Sequence, residues 1–261
     1  MLSQGDALQL FVKRLCSRSI VSDEEQTALS SLQGQVRQIP ARKDIVHLGE
    51  LVDHSCLLVD GVVGRYGQNG EGVRQLSCLH IAGDMADLVS LVSPKAGWGL
   101  TALTDVTILR VSHKDLRGVA SQHPAIAEAF WRDSVADGSI FSEWVVNVGR
   151  RDAIARLSHL LCEMAIRCER ANLGSRHAFK LPLTQADLGD AIGMTSVHVN
   201  RTLRELREQS ILTMYSGTVT IHDWNALAKI GDFDHSYMLL DGPAPRIFGT
   251  VSMIASNAGK V

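Results

Sequence analysis

The sequence of 261 residues lacks any run of about 18 consecutive apolar residues, which is the length that a helix needs to cross a bilayer. Its N-terminal stretch also lacks the long apolar segment and the small-residue cleavage site of a secretory signal peptide. We therefore expect a soluble, cytoplasmic protein that makes no membrane contact.

Cysteines are few and scattered, and none of them forms a C-x-x-C pair. The five are Cys16, Cys56, Cys78, Cys162 and Cys168. Structural zinc sites and disulfide frameworks need closer or paired spacing, so we interpret these cysteines as small buried residues.

The ten histidines are equally dispersed, and none forms an H-x-x-x-H pair on a helix. His47, His54 and His80 could converge in a β-rich fold, which leaves a metal or haem site as the less favoured alternative. The sequence thus predicts no metal site and no cofactor.

Catalytic patterns are missing as well. We find no nucleophile with an adjacent base, no glycine-rich phosphate loop and no metal-ligand spacing, so nothing in the sequence supports an enzyme.

Positive charge is unevenly distributed along a chain whose net charge is −2. Residues 150–222 hold ten Lys or Arg against seven Asp or Glu, a balance of +3, whereas residues 1–149 hold thirteen against seventeen, a balance of −4. A basic surplus in one region is a modest indication of a nucleic-acid partner there.

The first half of the chain, from about residue 36 to residue 111, has the pattern of an antiparallel β-domain. Short apolar runs alternate with glycines, and the runs are DIVHL, SCLLVDGVVGRYG, VRQLSCLHI and VTILRV. Such spacing predicts a barrel or sandwich, with a hairpin tip at GQNGEG. A short helix over DEEQTALSSL precedes it, capped by Ser22.

A long helix is predicted to begin at Pro124, a residue well suited to a first helical position. Small and apolar residues recur along it in alternating steps of four and three, and they include Trp131, Ser134, Gly138, Phe141 and Val145. This stripe would let a second copy of the helix approach closely. The alternative is that the stripe packs against the protein's own β-domain.

The stretch LTQADLGDAIGMTSVHVNRTLREL, from residue 183 to residue 206, predicts two helices that meet at Gly193. Thr184 and Thr195 are suited to cap the first and the second helix. Val199, Leu203 and Leu206 would face inward on the second helix. This is helix-turn-helix geometry, in which the second helix enters the major groove.

The opposite face of that second helix carries side chains that can bind DNA. Arg201 can pair with guanine, Asn200 with adenine, and Val197 can contact a thymine methyl group. Other residues near the helix N-termini could contact phosphates. The full predicted set is Thr184, Gln185, Thr195, Ser196, Val197, His198, Asn200, Arg201 and Arg204.

Two short alternating runs, Leu212–Tyr215 and Thr218–His222, flank Ser216 and Gly217, which predicts a tight hairpin. A helix-turn-helix followed directly by such a hairpin is a winged helix. An αα-hairpin used only for packing is the less favoured interpretation, because Asn200 and Arg201 are poor choices for burial.

Together, the β-domain, the long helix, the segment LTQADLGDAIGMTSVHVNRTLREL and the wing resemble the Crp/Fnr family of bacterial transcription regulators. The segments GDMADLVSLV and GDFDHSYM extend this resemblance over about residues 20–240. It implies an α+β protein with an N-terminal antiparallel β jelly-roll of the cyclic-nucleotide-binding kind. It also implies a homodimer on a palindromic operator in double-stranded DNA, and contact with RNA polymerase.

The expected organisation has four parts. Residues 1–122 form the sensory β-domain with its N-terminal helix, 123–149 the dimerisation helix, 150–240 the winged-helix domain, and 241–261 a disordered tail.

The sequence departs from the family pattern at the effector site. The resemblance places that pocket at Gly83, Asp84, Asp87, Trp98 and Thr101. Members that bind cyclic AMP use a Glu for the ribose and an Arg for the phosphate. Here Asp87 could replace the Glu, but the segment SPKAGWGLTAL has no Arg and no Ser-Thr pair before Ala102, so we expect an effector other than cyclic AMP or none at all. The cysteine cluster of the Fnr branch is also missing, since Cys16 stands alone.

The sequence leaves one alternative function open. The protein could be a ligand-binding module of the cyclic-nucleotide class whose winged helix contacts another protein. A salt-dependent gel shift with DNA separates the two hypotheses.

Overall fold

The computed structural model describes residues 3–247 and has the α+β architecture that the sequence predicts. A β-domain comes first, a long helix follows, and a winged-helix domain comes last. The α-helices of the described residues are α1 Gln4–Cys16, α2 Asp23–Ser30, α3 His113–Gln122, α4 Pro124–Arg150, α5 Ala153–Arg170, α6 Gln185–Ile192, α7 Ser196–Glu208 and α8 Trp224–Ile230.

The strands form three antiparallel sheets. Their bounds are β1 Gln35–Ile39, β2 Asp44–Val46, β3 His54–Asp60, β4 Val63–Gln68, β5 Arg74–His80, β6 Gly99–Ala102, β7 Val106–Ser112, β8 Gly174–Ser175, β9 Ala178–Lys180, β10 Leu212–Tyr215 and β11 Thr218–Ile221. The β-domain holds two sheets, with the strand orders β1-β7-β3 and β2-β6-β4-β5, and the third sheet, β10-β11-β9-β8, contains the wing. The two facing sheets agree with the predicted jelly-roll.

Helix α1 is an element that the sequence analysis missed. Ser3 caps it, and the Asp6 carboxylate accepts from the Ser3 backbone N–H in return at 2.8 Å. Its buried face, which includes Leu8 and Phe11, packs against the β-domain and α4. The helix therefore closes the outer side of the β-domain.

Helix α4 starts at Pro124 as predicted and runs for 27 residues. Its inward face buries Ala136, Ile140 and Trp144, but it also buries Asp133, which is 2% exposed. Asp133 accepts from Arg14 Nε at 2.8 Å and from Arg18 Nη1 at 3.3 Å. The inward face of α4 is thus joined to α1 by ion pairs as well as by apolar packing.

The apolar core forms three clusters. One fills the space between the two β-domain sheets, and a second lies under α1, α2 and α3. The third joins Leu76 and Leu79 of β5 to Leu161 of α5 and Leu188 of α6. Because one cluster includes residues of both parts, the winged helix packs directly on the β-domain.

The C-terminal segment differs from the prediction over residues 241–247. Arg246 donates to the Ile20 carbonyl at 3.1 Å and to Glu25 at 2.7 Å, and Ala244 forms a parallel bridge with Ser19. The expectation of a disordered tail is therefore wrong for these residues, because their backbone and arginine find partners on the N-terminal segment. The rest of the predicted tail, residues 248–261, lies outside the described residues.

All five cysteines are free, and four of them are buried, in agreement with the interpretation of small core residues. No helix among residues 3–247 has both the length and the apolar character needed to cross a membrane.

Candidate nucleic-acid interface

The first helix of the interface, α6, is fixed at both ends by its local sequence. The Thr184 hydroxyl accepts from the Asp187 backbone N–H at 3.2 Å, while the Asp187 carboxylate accepts from the Thr184 backbone N–H at 2.8 Å. Gly193 ends the helix in the left-handed conformation, with φ of 65°. A residue with a Cβ is strained at that φ, so the glycine determines where the chain turns toward α7.

The second helix, α7, presents one face to the core and the other to solvent. Val199 and Leu206 are buried and Leu203 is half-buried, as the sequence predicts. Thr202 is also buried, and its hydroxyl donates to the His198 carbonyl at 3.0 Å. This face packs α7 against α5 and α6, and the other side of the helix borders a cleft toward β5.

The predicted DNA-contacting residues all lie exposed on the outer side of the two helices. Val197 is 74% exposed, so its methyl groups are accessible to a partner. Thr184 and Gln185 lie at the start of α6. The exposed members on and just before α7 are Thr195, Ser196, Val197, His198, Asn200, Arg201 and Arg204.

The wing has the predicted hairpin. Leu212 pairs with Ile221 and Tyr215 with Thr218 across two antiparallel strands. Ser216 and Gly217, with φ of 47° and 73°, form the two-residue turn. Two successive positive φ values are typical of the hairpin turn that matches strand twist. Tyr215, which the sequence analysis did not select, is 85% exposed beside this turn.

The interface is attached to the β-domain by contacts that the sequence could not show. Arg42 forms a two-pronged ion pair with Asp187, in which Nη2 donates to Oδ2 at 2.9 Å, and the same Nη2 reaches the Thr184 hydroxyl at 3.4 Å. Gln75 donates to the Asp190 carbonyl at 2.6 Å. These contacts span more than 100 residues of sequence, so no local pattern indicates them.

The five residues predicted for an effector pocket do not line one cavity. Asp87 and Trp98 line a cavity of about 300 Å³ beside β2 and β6, here called the β-domain cavity. Gly83 and Asp84 line another cavity of about 100 Å³ between α1, α4 and α5, here called the arginine-lined cavity. Thr101 is buried in β6 and lines neither of the two cavities.

The two aspartates of this region have different partners. Asp84 pairs with Arg14 and Arg167, each at 2.7 Å. Burial alone would raise the pKa of Asp84, but the two guanidinium groups lower it to about 2. Asp87 accepts from the Cys56 backbone N–H at 2.6 Å through Oδ1, and its other oxygen has no partner among the described residues. Burial raises the pKa of Asp87 to about 6.

The stripe predicted for dimerisation lies on the outward face of α4. Trp131, Phe141 and Val145 are 62%, 45% and 58% exposed, Gly138 is exposed, and Ser134 is half-buried. Most of the stripe is therefore exposed, but Phe141 also contacts the β-domain, because Arg65 of β4 lies over its ring at 5.9 Å. Val135 and Val146, which the sequence analysis did not select, enlarge the same apolar face.

Two family profiles match the chain. The profile of the cyclic nucleotide-binding domain matches residues 36–123, and that of the Crp-like helix-turn-helix domain matches residues 155–230. They fall in the same order and on the same elements as the β-domain and winged helix described above. The chain belongs to the Crp/Fnr family.

Curated relatives within the Crp/Fnr family are transcription regulators. The nitrogen fixation regulation protein FixK of Azorhizobium caulinodans is 26% identical over 182 residues, which cover 69% of this chain and 73% of the relative. The fumarate and nitrate reduction regulatory protein of Escherichia coli is 18% identical over 219 residues, which cover 84% and 87%.

Solved structures share the Crp/Fnr fold. FixK2 from Bradyrhizobium japonicum has a TM-score of 0.67 and 22% identity over 76% of this chain and 98% of that one. A CRP-family regulator from Thermus thermophilus, TTHB099, has a TM-score of 0.60 and 16% identity over 76% and 97%.

The β-domain of this Crp/Fnr protein differs from a cyclic-nucleotide site in its charges. Lys95 is the one cation among the described residues that line the β-domain cavity, and it is exposed. A Lys offers a point charge but not the planar fork of an Arg. The described residues that line the β-domain cavity thus include no arginine to match a buried cyclic phosphate, although Arg65 lies over the Trp98 ring at 4.9 Å.

Proposed function

We propose that this Crp/Fnr-type regulator binds a palindromic operator as a homodimer and reads its sequence with α7. The observation that carries the proposal is the outer face of α7, where Val197, Asn200 and Arg201 are exposed together in its first two turns. An aliphatic, an amide and a guanidinium side chain at the start of the second helix of a helix-turn-helix are suited to contact base edges.

Each exposed residue has a proposed role. Arg201 donates to the O6 and N7 acceptors of guanine, Asn200 pairs with adenine, and Val197 contacts a thymine methyl group. The remaining residues of the set position the protein on the phosphates: Thr184, Gln185, Thr195, Ser196, His198 and Arg204. As a transcription regulator the dimer also contacts RNA polymerase.

Site selection from random DNA tests the assignment of Arg201. Replacing Arg201 with Ala should weaken operator binding by about 1–3 kcal/mol and relax the preference at one base pair per half-site. The matched control is Gln185→Ala, which should weaken all sequences about equally and leave the consensus unchanged.

Two outcomes contradict this part of the proposal. An unchanged consensus after Arg201→Ala would show that Arg201 does not read a base. A protein that shifts no DNA even at low salt would favour the alternative, in which the winged helix contacts another protein.

The outward face of α4 supports the dimer. Two recognition helices reach successive major grooves only when a two-fold partner supplies the second one. The exposed Trp131, Phe141 and Val145 offer a self-complementary apolar face, and apolar surface of this kind marks an interaction site.

Sedimentation of a Gly138→Arg variant tests the dimer. A Cβ at Gly138 meets nothing within 4 Å, so the substitution fits the single chain but puts charge on the outward face. We expect a folded monomer with weak operator affinity. Gly118→Arg on α3, where a Cβ also meets nothing within 4 Å, is the control and should remain dimeric. A dimeric Gly138→Arg protein would contradict the proposed interface.

The proposed effector is not a cyclic nucleotide. A buried cyclic phosphate needs an Arg fork or a cluster of backbone donors, because an unpaired buried anion is very costly. The β-domain cavity offers Lys95 alone, so either another small molecule binds the protein or the dimer binds DNA without one.

A further inference from the structure

The arginine-lined cavity lies where the β-domain, α1, α4 and α5 meet. It has a volume of about 100 Å³ and lies against the turn at residues 81–84 and the segment at residues 238–240. Its apolar wall includes Leu10, Ile81, Ile140 and Met238. Since one water-sized group needs about 10–15 Å³, the cavity has room for a short organic molecule.

Positive charge dominates the polar part of this cavity. Its lining contains Lys13, Arg14, Arg18, Arg167 and Arg170, whereas Asp84 is the one carboxylate among the described lining residues. A buried set of like charges is unfavourable unless anions match it.

The deepest cations share a limited number of carboxylates. Arg14 pairs with Asp84, Asp133 and Asp137 at 2.7–2.8 Å, and Arg167 pairs with Asp84 again. Arg167 also pairs with Glu163, but its Nε is buried and has no hydrogen-bond partner in the described structure.

The two cations at the open side of the cavity have only neutral partners. The exposed Lys13 donates from Nζ to the Asn172 side-chain oxygen at 3.1 Å, and the exposed Arg170 donates from Nη2 to the Leu240 carbonyl at 3.4 Å. Within residues 3–247, neither has a carboxylate at ion-pair distance among the salt bridges that the structure forms.

Arg18 is a further buried cation in the lining of this cavity. Burial, and then the neighbouring Arg14, lower the pKa of Arg18 to about 10. Its guanidinium reaches one carboxylate, Asp133 at 3.3 Å, and otherwise donates to the Met238 carbonyl. Asp133, Asp137 and Asp84 raise this pKa in turn, so burial is the main cause of the lowered pKa of Arg18.

From this geometry we propose that the arginine-lined cavity binds a small carboxylate with a short apolar body. The carboxylate lies toward Lys13 and Arg170, within reach of charge-assisted hydrogen bonds, and the body packs against Ile81 and Ile140. The site is separate from the β-domain cavity, and the proposal does not depend on DNA binding.

The position of the site gives the ligand a structural effect. Its lining comes from α1 and the 81–84 turn of the β-domain, and from α5 and the 238–240 segment of the C-terminal half. A ligand that contacts both halves binds this arrangement better than any arrangement in which they separate. It therefore stabilises the present orientation of the winged helix on the β-domain.

Calorimetric titration of the full-length protein with butyrate and benzoate tests the proposal, with butyramide and benzamide as uncharged controls. We expect saturable binding of at least one acid at one site per chain, and at least tenfold weaker binding of its amide. The thermal unfolding midpoint should rise with the same acid, because a ligand of the folded state stabilises it.

Variants locate the binding. The double variant Lys13→Gln/Arg170→Gln should weaken the acid at least tenfold, and Lys114→Gln, an exposed lysine on α3, should leave it unchanged. Ala171→Leu adds bulk to the lining without a change of charge and should abolish binding. It locates the site even if the double variant does not fold.

Three results would overturn the proposal. They are no saturable binding of either acid, equal binding of an acid and its amide, and unchanged binding in both the double variant and Ala171→Leu.

Discussion

The arginine-lined cavity and the β-domain cavity contain aspartates from the same short segment, GDMAD, yet the two carboxyl groups behave in opposite ways. Asp84 and Asp87 are both 5% exposed. The pKa of Asp84 is lowered to about 2 and that of Asp87 is raised to about 6. Since burial is the same, the difference comes from the neighbours. Arg14 and Arg167 lie beside Asp84, and no arginine pairs with Asp87 among the described residues.

The comparison shows that a family fold does not decide where an anion can bind. The β-domain cavity is the larger of the two, but it already holds one carboxyl group that its surroundings disfavour as an anion. The arginine-lined cavity lies outside the β-sheets, and two cations at its open side, Lys13 and Arg170, have only neutral partners among the described residues. The chemistry of the lining, rather than the volume, separates the two cavities.

Removal of Asp84 should have the largest effect. Asp84→Ala leaves Arg14 and Arg167 buried without their shared carboxylate, and we expect a loss of about 3–5 kcal/mol in the free energy of unfolding. Chemical denaturation at pH 7 measures it. Asp137→Ala, which removes a more exposed partner of Arg14 alone, should cost clearly less, and an equal cost would argue against the central role of Asp84.

Removal of the charge on Asp87 should raise the free energy of unfolding, whereas removal of Asp84 lowers it. Its folded pKa of about 6 lies above the ordinary 3.8, so its contribution to stability is complete below about pH 4 and is lost as the pH rises through 6. Asp87→Asn should therefore stabilise the protein at pH 8 by about 1–3 kcal/mol, and this gain should vanish at pH 4.

Denaturation of the parent protein and Asp87→Asn at both pH values checks this. If the variant were less stable than the parent at pH 8, the carboxylate of Asp87 would be better matched than its surroundings indicate.

Addition of cyclic nucleotides should produce the smallest effect, because we expect them not to bind. No arginine for the phosphate is found among the described lining residues of the β-domain cavity, and Trp98 occupies part of that lining. Calorimetry with cyclic AMP and cyclic GMP should show no binding in the micromolar range. Micromolar binding of either nucleotide would contradict the conclusion that the β-domain cavity is a poor site for an anion.

Elements set by local pattern were predictable from the sequence. The two helices around Gly193, the wing turn at Ser216 and Gly217, and the start of α4 at Pro124 all depend on caps, turn residues and periodicity within a few positions. The exposed face of α7 followed for the same reason, since one helical period separates its inward and outward residues.

Features that depend on distant partners were not predictable. The ion pair of Arg42 with Asp187 spans 145 positions. Asp84 and Asp87 look alike in sequence, and only the packing of α1 and α5 places arginines beside one of them. The sequence analysis placed Asp84 and Asp87 in one effector pocket because they are only three positions apart. In the structure they face different cavities.

The contacts between the C-terminal segment and residues 18–20, which follow the first helix, bear on the order of folding. Arg18 on the N-terminal side of the chain donates to the Met238 carbonyl, 220 positions away, and Arg246 donates to the Ile20 carbonyl, 226 positions away. During synthesis these groups emerge first and their acceptors or donors emerge last. The buried Arg18, which follows α1, must therefore stay hydrated until nearly the whole chain has been made, and the region with which the chain begins is among the last to reach its final packing.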